Sequence, residues 1–204
     1  MQAFESISAP MAMPPPASPM HAQCLGPGAL AAILQPGTGL AIWDRQPARP
    51  CRPAIAAILA GPGFSHVAEG PADAATRQMR AVLPPRAGAL LADIASLARL
   101  FAAIAGSSAV RLRLEHLDDD SCRLFHVDAV RLRLLCTYAG AGTDWLGRDG
   151  RIHRMAAFQV GLFKGSRHPD PGPRTRHRSP PVSRLPQGRR ARLLLCIDEA
   201  GSLP

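Results

Sequence analysis

The chain has 204 residues, 47% of them hydrophobic, which suits one domain with a sizeable core. Its formal charge is +9, but only one of the 24 basic residues is lysine (Lys164) and aromatics make up 4%. The charge therefore reads as a chain-wide arginine bias and not as a nucleic-acid surface with stacking platforms. No run of about 18 apolar residues marks a membrane span. The first twenty residues, interrupted by Pro14-Pro15-Pro16, lack the basic start and apolar stretch of a secretory signal, so the expected location is cytoplasmic.

Taken in order, residues 1–24 are rich in Pro, Met and Ser without periodicity and are expected to be a disordered N-terminal tail. The remainder, 25–204, reads as a single domain, with a mainly helical part over 25–106 and a β-sandwich part over 107–200. Short helices fit 29–34 and 54–60, with the strand Gly39-Leu40-Ala41-Ile42-Trp43 between them. The clearest helix spans 86–105, where Leu90, Ile94, Leu97, Phe101 and Ile104 form one stripe between Pro84-Pro85 and Gly106.

Beyond Gly106 the period falls to two, and Val110-Arg-Leu-Arg-Leu-Glu115 has the alternation of a half-exposed strand. Asp118-Asp119-Asp120 reads as a solvated turn, 122–127 as a second strand and 130–138 as a third. A flexible connection follows at 139–143, then strands at 158–164 and 191–197, separated by a long Pro- and Arg-rich loop over 166–189. Helices first and short alternating strands afterwards indicate an α+β chain. A block from Val110 to Asp198 has the size of a C-terminal double-stranded β-helix (jelly-roll or cupin-like) packed against N-terminal helices.

Within that block stands His126-Val127-Asp128. Residues i and i+2 of a strand share a face, so this imidazole and carboxylate can grip one ion, with His177 supplied by the later loop. Two His and one carboxylate form the facial triad suited to non-haem Fe(II). Three protein ligands keep coordination positions open. Zinc or manganese finds the same three ligands. Structural alternatives stand beside this reading: His126 bonded to Asp128 without an ion, and His177 as one member of a basic loop with Arg174, Arg176 and Arg178.

The arrangement resembles that of iron oxygenases that use 2-oxoglutarate, in which an Arg on the last strand grips the cosubstrate's far carboxylate bidentately. Here Arg192 opens the last strand, with Arg189 and Arg190 as competitors, and an ordinary salt bridge is the alternative role for Arg192. His116, His153 and His168 lack partners at ligand spacing and are expected at the surface, while Tyr138 and Trp145 are expected in the core. Cysteines 24, 51, 122, 136 and 196 show no C-x-x-C, so neither a disulfide framework nor a zinc knuckle is expected. No G-x-S-x-G elbow, Walker A or dinucleotide fingerprint occurs.

The run from Asp120 to Tyr138, followed by Gly142-Thr-Asp-Trp-Leu146, resembles the central signature of a bacterial family known as domain of unknown function 1826. Leu40-Ala-Ile-Trp43, Leu162-Phe-Lys-Gly165, His177-Arg-Ser-Pro-Pro-Val182 and Arg192-Leu-Leu-Leu-Cys-Ile-Asp198 resemble its other blocks, over roughly residues 28–200. Where that family carries Arg-Gly-Pro-Gly-Thr, this chain has Ala139-Gly-Ala-Gly-Thr143. Genes of that family often lie near those for zinc-handling proteins, so the resemblance implies a role in metal homeostasis as a rival to oxygenase chemistry. The expectation is thus a mononuclear metal protein acting on a small-molecule or peptide substrate, without nucleic acid or membrane partners. His126, Asp128 and His177 would hold the ion and Arg192 the cosubstrate.

Overall fold

The amphipathic stripe expected over 86–105 forms the helix α3 (Gly88–Ala105), and the computed structural model describes residues 20–120 and 122–201 around it. Leu90, Ile94, Leu97 and Phe101 are at most 1% exposed, each contributing about 1.5–3 kcal/mol through burial. α3 is long and apolar enough to cross a membrane by length and composition, but its stripe packs on a sheet. Two shorter helices, α1 (Arg52–Leu59) and α2 (Ala72–Gln78), and a 3₁₀ turn over Pro27–Leu34 complete that layer.

The strands in chain order are β1 (Met20–Cys24), β2 (Thr38–Trp43), β3 (Phe64–Gly70), β4 (Val110–Leu117) and β5 (Leu132–Ala139), then β6 (Asp144–Leu146), β7 (Ile152–Arg154), β8 (Val160–Lys164), β9 (His177–Arg178) and β10 (Arg192–Glu199). Seven form one sheet in the order β1-β2-β8-β5-β10-β4-β3, antiparallel except for the β1–β2 pair. A smaller sheet, β7-β6-β9, faces it. The protein is therefore a mixed α+β structure, with helices on one face of the large sheet and short strands on the other.

Side-chain alternation divides the interior in two. Leu112, Leu114, Leu132, Leu134, Leu193, Leu195 and Ile197 point to the helices. Leu40, Ile42, Leu135, Trp145, Met155, Phe163, Leu194 and Cys196 fill the space between the sheets. The charged positions of β4, expected at a half-exposed face, turn toward the second layer, where Arg113 and Glu115 line a cavity.

Three sequence expectations change. The tail expected over 1–24 lies outside the described residues as far as position 19, and its last five residues form β1, in parallel register with β2. The strand expected over 122–127 does not form. Cys122 has φ 55°, outside the β region, and among the described residues the one ladder contact there is the bridge between His126 and His177. Residues 25–106 also carry β2 and β3, which join the large sheet. Cys51, Cys122, Cys136 and Cys196 are free thiols.

The long loop after β8 is tied down by a buried lysine. Lys164, 1% exposed, donates to Gln35 O at 2.9 Å and pairs with Asp170, whose carboxylate also accepts from the Gly37 and Gly172 N–H groups. The hydrogen bond from Lys164, followed by that from the Gly172 N–H, holds the Asp170 carboxyl well below the usual carboxylate range. A folded pKa below the unfolded one gives stability that is present above about pH 4 and disappears as acid protonates the group. Asp170→Asn should therefore lower the thermal midpoint at pH 7, with the gap from wild type beginning to narrow only as the pH falls below about 4. Equal midpoints at pH 7 would contradict this role for the clasp.

Candidate metal centre

The segment leaving β4 reverses at Asp118–Asp120 and is anchored where Asp120 Oδ1 accepts the Ser183 N–H at 2.8 Å. It then runs alongside β9. His126 N donates to His177 O, and His177 N donates to His126 O, both at 3.0 Å, so the two histidines sit opposite each other with ring centroids 4.8 Å apart. Asp128, two residues on, falls on the same side. One ligand atom from each of His126, Asp128 and His177 lies within 4.8 Å of the other two.

His177 Nε2 is 3.0 Å from Asp128 Oδ2, and His126 Nε2 is 3.5 Å from Asp128 Oδ1. Around an ion with bonds of about 2 Å, ligand atoms stand roughly 3 Å apart, so the group reaches coordinating distance with small side-chain adjustments. His126 Nδ1 lies 2.8 Å from Leu124 O. A carbonyl only accepts, so Nδ1 carries the proton and the Nε2 lone pair is left for the cavity, the usual outer support of a metal-binding imidazole. His177 Nδ1 is buried without a hydrogen-bond partner, and the buried Asp128 Oδ2 has no contact of that kind except the one with His177 Nε2. A divalent ion would replace that contact, taking Oδ2 and the imidazole nitrogen as ligands together. The donor set, two imidazoles and a carboxylate, is suited to a borderline divalent ion.

Electrostatics favour the ionised carboxylate. Burial acts most strongly on Asp128 and upward, but His177, Arg133 and His126 together outweigh it and hold its pKa below the ordinary value. His177 is 4% exposed and lies against Phe163 at 4.5 Å, whereas the His126 side chain is 36% exposed at the open side. The cavity above them measures about 150 Å³, with Leu117, Leu135 and Leu194 as its apolar wall and Thr143, Ser179 and Arg178 among its polar groups.

Arg192 is 1% exposed on the cavity-side face of β10. Its Nε donates to Ala141 O at 2.6 Å, its Nη1 to Ser179 Oγ at 3.2 Å, and its Nη2 is buried without a partner. Among the described residues no carboxylate lies within ion-pair distance of it. Burial pushes its pKa down to about 10, with Asp144 and Glu115 opposing from further away. Gly140 makes room for this chain crossing: at φ 82°, a Cβ there would sit 2.3 Å from Ala191 O and 2.9 Å from Arg192 Cγ. Arg189 is exposed, and Arg190 donates to Leu185 O, so Arg192 is the one of the three set beside a cavity residue.

Other residues stand away from their expected places. His116 is 7% exposed, not at the surface, with Nδ1 3.1 Å from Pro62 O. Tyr138 and Trp145 are core residues as expected; Tyr138 donates to Asp93 and Trp145 stacks on His153. Arg113, Arg133 and Ser179 line the cavity, and Asp198 pairs with Arg133; sequence patterning singles out none of the four. The available signal is charge inside dense apolar strands: Arg133 within Leu132–Cys136 and Asp198 closing Leu193–Ile197.

Distant likenesses exist among solved structures. A Pseudomonas putida prolyl-4-hydroxylase is 15% identical over 85% of this chain and 98% of its own, with a TM-score of 0.47. A full-length Neurospora crassa protein, in complex with alpha-KG and 5-formyluracil, is 12% identical over 84% of this chain and 77% of its own, with a TM-score of 0.49. A putative oxygenase from Shewanella oneidensis is 12% identical, covers 89% of each chain and has a TM-score of 0.49. No curated protein matches the sequence. The family model described as "Protein of unknown function (DUF1826)" matches residues 25–198, and the chain belongs to that family.

Proposed function

We propose that this protein is a cupin-like, mononuclear metal enzyme, a non-haem Fe(II) dioxygenase that uses 2-oxoglutarate on a small-molecule or peptide substrate. The observation carrying this reading is the convergence of His126, Asp128 and His177, within 4.8 Å, at the base of a cavity. The topology supports a double-stranded β-helix. The run β8-β5-β10-β4 faces a second antiparallel layer in which the His126 bridge extends β7-β6-β9. The free thiols of Cys51, Cys122, Cys136 and Cys196 suit a reducing compartment such as the cytoplasm.

When bound, Fe(II) supplies redox chemistry and coordination positions left open by a three-residue ligand set. The chain's own residues do the rest. Arg192 is a buried cation without an ion-pair partner among the described residues, a costly arrangement that an anionic ligand relieves. With Ser179 Oγ beside it, the guanidinium is placed to hold one carboxylate of a dicarboxylic acid at the cavity edge. A cavity of about 150 Å³ is smaller than the roughly 300–1,000 Å³ of drug-sized sites, so it suits the cosubstrate alone. The substrate then meets the centre from the open side, where His126 is accessible. Leu117, Leu135 and Leu194 keep water from the inner wall.

Purified protein should take up one equivalent of divalent metal, and His126→Ala/Asp128→Ala should take up none. Anaerobic addition of Fe(II) and 2-oxoglutarate should give a weak visible charge-transfer band; iron-loaded protein without the band would rule against this cosubstrate. Zinc bound at one equivalent with no affinity for 2-oxoglutarate would instead assign the site to zinc handling without catalysis. Arg192→Lys replaces a planar fork by a point charge, and should raise the 2-oxoglutarate concentration for half-saturation by about 10–100-fold while metal stoichiometry stays at one. Titration of the charge-transfer band measures both.

A further inference from the structure

Asp128 is held from behind. Arg133 on β5 and Asp198 on β10 are direct partners in the antiparallel register. They pair through two parallel bonds, Nε to Oδ1 and Nη2 to Oδ2, each 2.7 Å long. The remaining nitrogen, Nη1, donates to Asp128 Oδ1. Asp198 is 1% and Arg133 8% exposed, so neither charge is there for solubility. Cys196 closes the chain, its Sγ 3.8 Å from Asp198 Oδ2; burial pushes the thiol up to about 12, which keeps it an S–H donor. One guanidinium thus spans two carboxylates, which a lysine ammonium cannot do with fixed geometry.

The two oxygens of Asp128 are left in different states. Oδ1 is engaged by Arg133 and lies 3.5 Å from His126 Nε2; Oδ2 is buried and faces His177 Nε2 at 3.0 Å, with no bond from Arg133. We propose that Arg133, locked in place by Asp198, is a positioning residue that makes Asp128 a one-oxygen ligand, presenting Oδ2 to the ion beside His126 and His177. The inference rests on the metal-site reading above and adds to it. With Oδ1 occupied, the carboxylate cannot swing round to chelate the ion through both oxygens. Such chelation would fill a position that the cosubstrate needs.

Co(II) is the probe, because its d–d absorption reports coordination number independently of turnover. Full-length wild type, Arg133→Met, Arg133→Lys and Asp198→Asn would be compared at saturating Co(II), with folding checked by circular dichroism. Arg133→Met should shift the d–d bands and raise the half-saturating 2-oxoglutarate concentration, because the freed carboxylate oxygen competes for the same position. Asp198→Asn should shift the bands in the same direction by less, and Arg133→Lys should restore them in part. Folded Arg133→Met and Asp198→Asn proteins with the wild-type spectrum would overturn the inference and leave the metal site standing. Should Arg133→Met fail to fold, Asp198→Asn alone decides, a wild-type spectrum again counting against the clamp. Wild type that binds no Co(II) overturns the metal-site reading, and this inference with it.

Discussion

Two backbone hydrogen bonds between His126 and His177 hold the whole candidate centre together, since they join segments that no other strand pairing among the described residues links directly. Each bond alone adds only about 0.5–1.5 kcal/mol. Their effect is geometric: in a mutually bonded pair both side chains emerge on one side, and Asp128 follows two residues later. The Asp120–Ser183 contact anchors the loop from outside, and the packing of Phe163 on the His177 ring fixes it from within. A short irregular loop thereby acquires the placement accuracy of a sheet.

Charge is distributed with the same economy. The inner face of the large sheet carries Arg113, Glu115, Arg133 and Asp198, and each of these finds an opposite charge nearby. Arg192 departs from that pattern, being equally deep yet met only by a carbonyl and a hydroxyl among the described residues. A cation left this way in a low-dielectric interior is destabilising unless something completes it. The helix-side core, by contrast, keeps its deep ion pair closed, with Arg45 and Tyr138 both bonded to Asp93.

Much of this is visible in the residues themselves. The stripe of α3 and the two-residue alternation of β4 locate both elements to within a few positions, because burial of one face dictates the period. His126 and Asp128 are legible as a pair from their two-residue spacing, although the strand assumed in pairing them does not form. The meeting with His177 rests on the expected fold, as β9 is two residues long and has no pattern of its own. Alternation also says which residues share a face but not what that face meets. The arginines of β4 therefore read as facing water, although Arg113 borders an enclosed space. The Arg133–Asp198 pair is invisible in sequence because it depends on the register between β5 and β10, a long-range property. β1 escapes detection since it is an edge strand in a stretch without alternation, recruited by β2.

β10 joins the two halves of the molecule residue by residue. Leu193, Leu195 and Ile197 belong to the helix-side core, while Arg192, Leu194, Cys196 and Asp198 belong to the space between the sheets. The two layers are interleaved here on a single eight-residue ribbon. Substitutions along it can be sorted by parity, odd positions bearing on the helix-side core and even ones on the space between the sheets. Deleting or inserting one residue would exchange the two sets at a stroke, driving a guanidinium and a carboxylate into the leucine layer. In this segment, length is under stricter constraint than composition.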